Sequence, residues 1–411
     1  PAPTTDRKFE ANSFRGWAKP ALATSMIFSG SIPHRLRRSG TGMGHGSSLA
    51  QSLMQSLQAK GFHAKLVSQA GSERLSIPEQ LQGLFLLSPG HFDQQPVNWL
   101  QNSYKLLRRC AEPLQAGQGF VVTLTRNGGQ FGLDGLTQLN QVYAGGTSAL
   151  VKTIAHEWPG VFVRALDMGR DFSDDLEAAN RCLEAAFWIG PLELGVLKER
   201  YYRLWLEGES FSAQTPEKIL QRGDTVLVTG GARGVTAATL IALAKRYPVR
   251  FVIWGRTPLS APEARETKDL LDASAIKRQL LFLHPELSHP KDLEKAYRHL
   301  LSQRELQASF AALRRYGAEV VYEVVDVGQD GELRLAVQSL RDRYPNIQGI
   351  IHGAGVIRDK LIVDQNEDEL QEVLDTKLRI LPYFETLMQN GTAWMVLFSS
   401  STARLGRKGQ G

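Results

Sequence analysis

Apolar residues along the chain fall into short runs separated by longer amphipathic stretches. In the first half, the runs at 22–28, 63–67, 83–87, 120–124 and 161–166 have strand length. Stretches with apolar residues every three or four positions predict helices over 47–60, 97–114, 137–157 and 173–188. Gly61 stands where the first of these should be capped. A segment of little apolar periodicity, 211–223, follows. Beyond it the plan recurs, with strands at 225–228, 250–254, 318–325, 349–352 and 393–398 and helices over 232–246, 332–343 and 367–388. Strands alternating with helices predict an α/β fold, with a parallel sheet covered on both faces in each half. The boundary falls in the low-periodicity segment, giving domains 1–215 and 216–411. No direct repeat of the solenoid kind relates the halves.

One stretch breaks the pattern. Residues 258–317 carry no strong strand signal, while 263–273 and 291–315 read as charged helices. The stretch is too long for an ordinary loop. A folded helical insertion on the rim, outside the sheet, is expected.

Length and composition narrow the class. The 411 residues suit two domains at roughly 100 to 200 residues each. With 42% apolar and 22% charged residues, disorder, collagen and coiled coil are excluded as descriptions of the whole. No apolar run reaches the ~18 residues of a membrane-spanning helix. The polar start has no signal core, and it opens on Pro1 rather than Met, which reads as a piece of a longer polypeptide. Cys110 and Cys182 lack metal or redox spacing, so a reducing cytoplasm fits. The net charge of +6 is mild for this length. The sharpest basic cluster, His34, Arg35, Arg37 and Arg38, lacks interleaved aromatics, zinc spacing and a helix-turn-helix signature. Nucleic acid is therefore not an expected partner. A dispersed positive field could favour an acidic protein.

The strongest constellation is Thr229, Gly230, Gly231, Ala232, Arg233, Gly234, Val235 and Thr236, between a predicted strand and a predicted helix. Glycines let a backbone approach a pyrophosphate, and a helix start offers unpaired N–H groups and a positive dipole end. Alone, such a loop can be merely a tight turn; the strand before and helix after favour nucleotide binding. At the end of the next strand, where an NAD-selective site carries an acid, stands Arg256. Its fork matches a 2′-phosphate, and Arg233 could grip the same group, so the cofactor is read as NADPH. The competing reading of Arg256 is a solvated surface charge. Asp326, beside Val327 at a third strand end, could accept from the adenine amine, or cap the following helix. Gly353, Ala354 and Gly355 would let a ribose pass, while His352 before them reads as structural. The alternating Gly40, Gly42, Gly44 and Gly46 miss the phosphate-loop spacing, because His45 and Ser47 interrupt it. They read as a flexible loop.

Taken in order, TGGARGVTAAT, VIWGRTPL, VVDV, IHGAGVIRDKLI, DTKLRILPYFETL and LFSSSTARLGRKGQG resemble the ketoreductase domains of type I polyketide synthases. The arginine-led insertion and the GARGVTAAT loop are most similar to the polyunsaturated fatty acid synthase branch. The resemblance covers 224–411. It implies an extended short-chain dehydrogenase with two Rossmann-like subdomains, the first structural and without cofactor. GGTSALVKTIAHEWPGVFVRALDM, from Gly145 to Met168, looks like that subdomain's end. The implied reaction is NADPH-dependent reduction of a 3-ketoacyl thioester on the phosphopantetheine of acyl carrier protein, among neighbouring synthase domains. Lys377 matches the family's catalytic lysine, which lowers a tyrosine's pKa and helps relay protons. Ser400 matches the serine that orients the substrate oxygen, with Ser399 and Ser401 as near neighbours. Only alternate residues on a strand share a face, so these serines cannot all point at the site.

Departures are visible too. Thr236 stands where the family-wide loop has its third glycine. The resemblance puts the acid tyrosine thirteen residues past Ser400, beyond Gly411, together with an asparagine, the remaining sheet edge and a lid helix. The chain as given is therefore expected to bind NADPH without turnover. Ile357, Arg358 and Asp359, with no tryptophan near Leu405, lean towards a D-3-hydroxy product. Two readings compete with a reductase: a non-catalytic scaffold that docks neighbouring domains, and a free-standing dehydrogenase of small alcohols.

Overall fold

Central parallel strands are covered on both faces and so need apolar residues at successive positions. Both sheets of the protein are built around such runs: Phe120–Thr125 and Thr225–Thr229 are buried at every position. The computed structural model describes residues 24–29, 45–69, 75–89, 97–136, 138, 141–208, 219–260 and 263–410. Two compact units divide the chain. The first is Pro1–Glu209 with Arg358–Gln371 and Ser400–Gly411; the second is Ser210–Ile357 with Glu372–Ser399. The contiguous division at 215/216 expected from sequence thus differs by two segments that return to the first unit. The cluster at 34–38 and the glycines at 40, 42 and 44 lie outside the described residues.

In the first unit, the strands are β1 (Thr24–Ser29), β2 (His63–Ser68), β3 (Leu81–Leu87), β4 (Phe120–Thr125), β5 (Phe162–Met168), β6 (Glu193–Val196) and β7 (Tyr201–Tyr202). Their order is β2-β1-β3-β4-β5-β6-β7, parallel except for β7. The helices are α1 (His45–Ala59), α2 (Val97–Ala116), α3 (Gln141–Glu157) and α4 (Asp175–Ala186). Asp174 starts α4 by accepting from the amides of Leu176 and Glu177. At the carboxyl end of β5, fully buried Asp167 accepts from Thr125 Oγ1 at 2.6 Å and from the amides of Asn127 and Phe131 at 2.7 Å. The loop after β4 spends its N–H groups on this internal carboxylate.

In the second unit, β8 (Thr225–Thr229), β9 (Arg250–Gly255), β10 (Glu319–Val324), β11 (Ile347–His352) and β12 (Trp394–Leu397) form an all-parallel sheet in the order β10-β9-β8-β11-β12. The strand order reverses between β8 and β11, the place where open α/β sheets take ligands. The α/β class with two mostly parallel sheets is as read from the sequence. The elements β7 and α12 (Ser401–Leu405) carry no periodicity long enough to announce them.

Two helices differ from expectation. The stretch read as one helix over 367–388 is split into α10 (Glu367–Leu378) and α11 (Leu381–Gln389). Pro382 lacks an N–H and its ring clashes with the carbonyl four residues back, at Leu378, where α10 stops. The helix read over 232–246 is α5 (Gly234–Ala244), which begins two residues later.

The insertion needs a larger correction. It contains α6 (Arg265–Lys268), α7 (Ala273–Leu283), a 3-10 turn (Pro285–Ser288) and α8 (Pro290–Arg315). The helix read at 263–273 is mostly irregular, and the unpredicted α7 starts where it ends, on an Asp272 cap. Nor does all of it sit outside the sheet. Leu306, Phe310 and Leu313 of α8 are core residues beside Val226, Val228, Phe251 and Ile253. Their spacing is one face of a helix. The second half of α8 is therefore the crossover helix between β9 and β10. Among the described residues, no helix is long and apolar enough to cross a membrane.

Phe310 is 2% exposed, whereas Phe282 on α7 is 78% exposed. Phe310→Ala should cost about 3–5 kcal/mol in urea unfolding. Phe282→Ala should stay within ~0.5 kcal/mol of the parent protein. Equal costs would place both on the surface and refute the crossover role.

Candidate functional site

The loop after β8 is shaped by glycines in the left-handed region: Gly230 (φ +99°), Gly231 (φ +55°) and Gly234 (φ +54°). At Gly230 the requirement is also one of space. A Cβ there would stand 2.4 Å from the carbonyl carbon of Gly353 and 2.5 Å from the Ala354 nitrogen. The amides of Gly230 and Gly231 both donate to Trp254 O at the end of β9, at 3.1 Å. Ala232 is buried and Val235 exposed. Arg233 occupies the cap position of α5 without a side-chain capping bond. Thr236 stands in place of the third glycine, and Gly353 explains how. A Cβ on Gly353 would lie 2.3 Å from Thr236 Oγ1, so the missing side chain at 353 makes the room that 236 takes up.

The other strand ends surround this loop. Arg256, just past β9, is exposed and its Nη1 lies 3.4 Å from Glu372 Oε1. Tyr322 lies over Gly255 and donates to Thr257 O at 2.7 Å. Asp326 closes a turn by accepting from the Gly328 amide at 2.9 Å, while Val327 beside it is buried. It does not cap α9 (Asp330–Arg343), whose cap position is Gln329.

His352, 6% exposed, ties three elements together. Its Nε2 lies 3.2 Å from Lys377 O, and a carbonyl can only accept, so Nε2 carries the proton. Nδ1 then accepts from Thr229 Oγ1 at 2.5 Å. Burial pushes the imidazole down to about 4; the bond to Lys377 O opposes this and the Lys377 charge adds to it. The ring therefore fixes the end of α10 against β8 and β11 and does not exchange protons near neutrality. Lys377 itself is exposed, with Nζ 3.3 Å from where a Cβ on Gly355 would stand. The structure thus brings Thr229, Gly230, Gly353 and Ala354 together, and Lys377 over Gly355.

Ser400 belongs to the first unit and Lys377 to the second. Strand β12 stops at Leu397, so the alternation expected of a strand does not govern the serines. Ser400 instead caps α12: its Oγ accepts from Thr402 N at 3.2 Å and from Thr402 Oγ1 at 3.0 Å. Helix α3 holds this segment through groups that sequence reasoning missed. Glu157 accepts from the amides of Gly409 at 2.9 Å and Ile362 at 2.8 Å. Lys152 donates to Ala403 O at 2.8 Å and pairs with Glu193, which also binds Arg404. Burial, with the Arg404 charge, pushes Lys152 down to about 8. Gly406 (φ +72°) crosses α3 so closely that a Cβ would meet the Lys152 carbonyl at 2.7 Å.

These contacts make two outcomes testable. His352 has a folded pKa of about 4 against an unfolded 6.5, so protonation favours unfolding. Its full stabilisation is present above pH 6.5 and drains away as pH falls from there to about 4. Urea unfolding should show a loss of about 2 kcal/mol between pH 7.5 and 5.0. His352→Gln, though less stable, should remove most of that slope. The second outcome concerns Glu157→Ala, which strands two amides at about 1–3 kcal/mol each. Trypsin should then cut at the exposed Arg407 and Lys408 roughly tenfold faster or more. An unchanged cleavage rate would show that Glu157 does not hold the segment.

Residues 224–411 match a family described as KR domain. A polyunsaturated fatty acid synthase of Thraustochytrium sp. has one subunit that is 26% identical over 311 residues, 72% of this chain and 11% of that protein. The 3-oxoacyl-[acyl-carrier-protein] reductase FabG of Chlamydia pneumoniae is 29% identical over 115 residues, 27% of this chain and 46% of that one. The chain thus spans only a part of either relative. Among solved structures, the first ketoreductase of the tylosin PKS superposes with a TM-score of 0.62 at 19% identity, covering 95% of this chain and 74% of that one.

Proposed function

Residues 224–411 match the KR domain family model, and from that match we propose that they use NADPH to reduce a 3-ketoacyl thioester on acyl carrier protein to the 3-hydroxyacyl thioester. The carrying observation is the joint of strand, glycine loop and helix between β8 and α5, placed where the strand order reverses. The residues fit a dinucleotide. Gly231 and Gly234 hold the loop in left-handed conformations with room where their side chains would stand, and α5 begins there with its first amides. Bound there, NADPH would supply the hydride for the keto carbon.

In this reading the chain's own groups bind and orient. The start of α5 receives phosphate, Arg256 the 2′-phosphate, and Asp326 the adenine amine. Gly353, Ala354 and Gly355 give the ribose room. The Lys377 ammonium would stabilise the phenolate form of the tyrosine that the resemblance implies, so that proton transfer to the new alkoxide is easier. Ser400 uses acceptor lone pairs to cap α12, which leaves its O–H to donate to the substrate oxygen. Relatives that include a polyunsaturated fatty acid synthase subunit and a polyketide synthase are many times longer than this chain, which supports neighbouring synthase domains as partners. The first unit is proposed to be structural, as the resemblance implies.

Arg256→Ala tests the cofactor. Losing a charge-assisted phosphate contact costs about 1.5–3 kcal/mol, so NADPH affinity should fall roughly tenfold or more while NADH changes little. Calorimetric titration of the full chain with both dinucleotides measures this. Equal wild-type affinity for NADPH and NADH would overturn the assignment of Arg256.

A further inference from the structure

The loop that receives phosphate in this reading already touches a carboxylate of its own chain. The Gly234 amide, first of α5, donates to Glu305 Oε1 at 2.8 Å. One turn earlier on α8, Ser302 accepts from Arg233 Nη1. Two loop groups suited to an anion, the Gly234 amide and the Arg233 guanidinium, are thus engaged by the inserted helix.

The backbone under Glu305 is fixed. Gln303 donates to Pro258 O at 2.7 Å and accepts from Ser260 N at 3.1 Å. Arg304 is forked onto Glu263, and it donates also to Thr267 O and Leu270 O. Leu306 is in the core. Glu305 itself is exposed, so its side chain can swing out while α8 stays in place.

We propose that Glu305 is a built-in competitor at the dinucleotide site, a latch on the α5 amide that sets cofactor affinity. The proposal rests on the reading that the start of α5 takes the phosphates. A carboxylate and a phosphate seek the same partial positive charge, and they repel each other when close. Binding therefore has to break the Gly234–Glu305 bond and turn the carboxylate towards water. The latch also keeps the amide satisfied when no cofactor is bound.

The test is calorimetric titration of NADPH into the full chain, as wild type, Glu305→Gln and Glu305→Ala, at low and high salt. Both variants should bind roughly threefold to tenfold more tightly at low salt, the scale of one like-charge contact near the surface. The gain should shrink at high salt, where that repulsion is screened. Binding by the variants alone would support the latch equally. Unchanged or weaker binding by both variants, with a wild type that binds, overturns the latch and leaves the dinucleotide site standing. Failure of all three to bind overturns the site itself, and the latch with it.

Discussion

At the carboxyl ends of β8 and β11 two backbones meet with no room for a side chain between them, and the proposed site is arranged around that approach. Gly230 faces Gly353 and Ala354, and the Gly353 amide donates to Thr229 O at 2.9 Å. The space is held by His352, which bonds Thr229 on one side and the Lys377 carbonyl on the other. Because both ring nitrogens are engaged and buried, the imidazole is neutral, and its tautomer is set by a carbonyl that cannot donate. Helix α10 is thereby brought up so that Lys377 lies over Gly355. The position of Lys377 thus depends on a histidine that does not exchange protons near neutrality.

Two strand-end loops, one in each unit, meet carboxylates set at different depths. In the first, the loop after β4 folds back on Asp167, a carboxylate with no exposed surface, and its amides are used up inside the protein. In the second, the amide at the start of α5 meets a carboxylate on the surface, Glu305. A buried carboxylate with several partners is a permanent fixture, since stranding any donor has a full desolvation cost. A surface carboxylate with one partner can exchange it for a ligand at little cost.

Sequence pattern exposed the sheets well because a doubly covered strand is a continuous apolar run, as at Phe120–Thr125 and Thr225–Thr229. It exposed the glycine loop because φ above zero leaves a mark in composition. Other features leave a fainter mark or none. The apolar face Leu306, Phe310 and Leu313 was present in the sequence, but the charges around it made α8 read as a rim helix. Pro382 could have signalled the break between α10 and α11, since its effect falls on Leu378 four residues back. Glu305 and Glu157 act across long chain separations, on Gly234 and Gly409, and no local spacing points to either. Ser400 was found by resemblance, yet its capping of α12 depends on where β12 stops.

The chain passes between its two units four times, after Glu209, Ile357, Gln371 and Ser399. On a ribosome the first unit is begun before the second yet cannot be finished until later, because Arg358–Gln371 and Ser400–Gly411 are synthesised after the whole β8–β11 region. Until they emerge, Glu157 has neither of these two amides to bind, and Lys152, only 9% exposed in the finished fold, lacks the Ala403 carbonyl. Contacts over such sequence distances are slow to form, and a nascent first half waits with charged groups uncovered. The order of synthesis therefore leaves the first unit incomplete until two segments that follow β8–β11 have been made, so that a polypeptide released before them would lack these contacts even though most of its first-unit strands were already present.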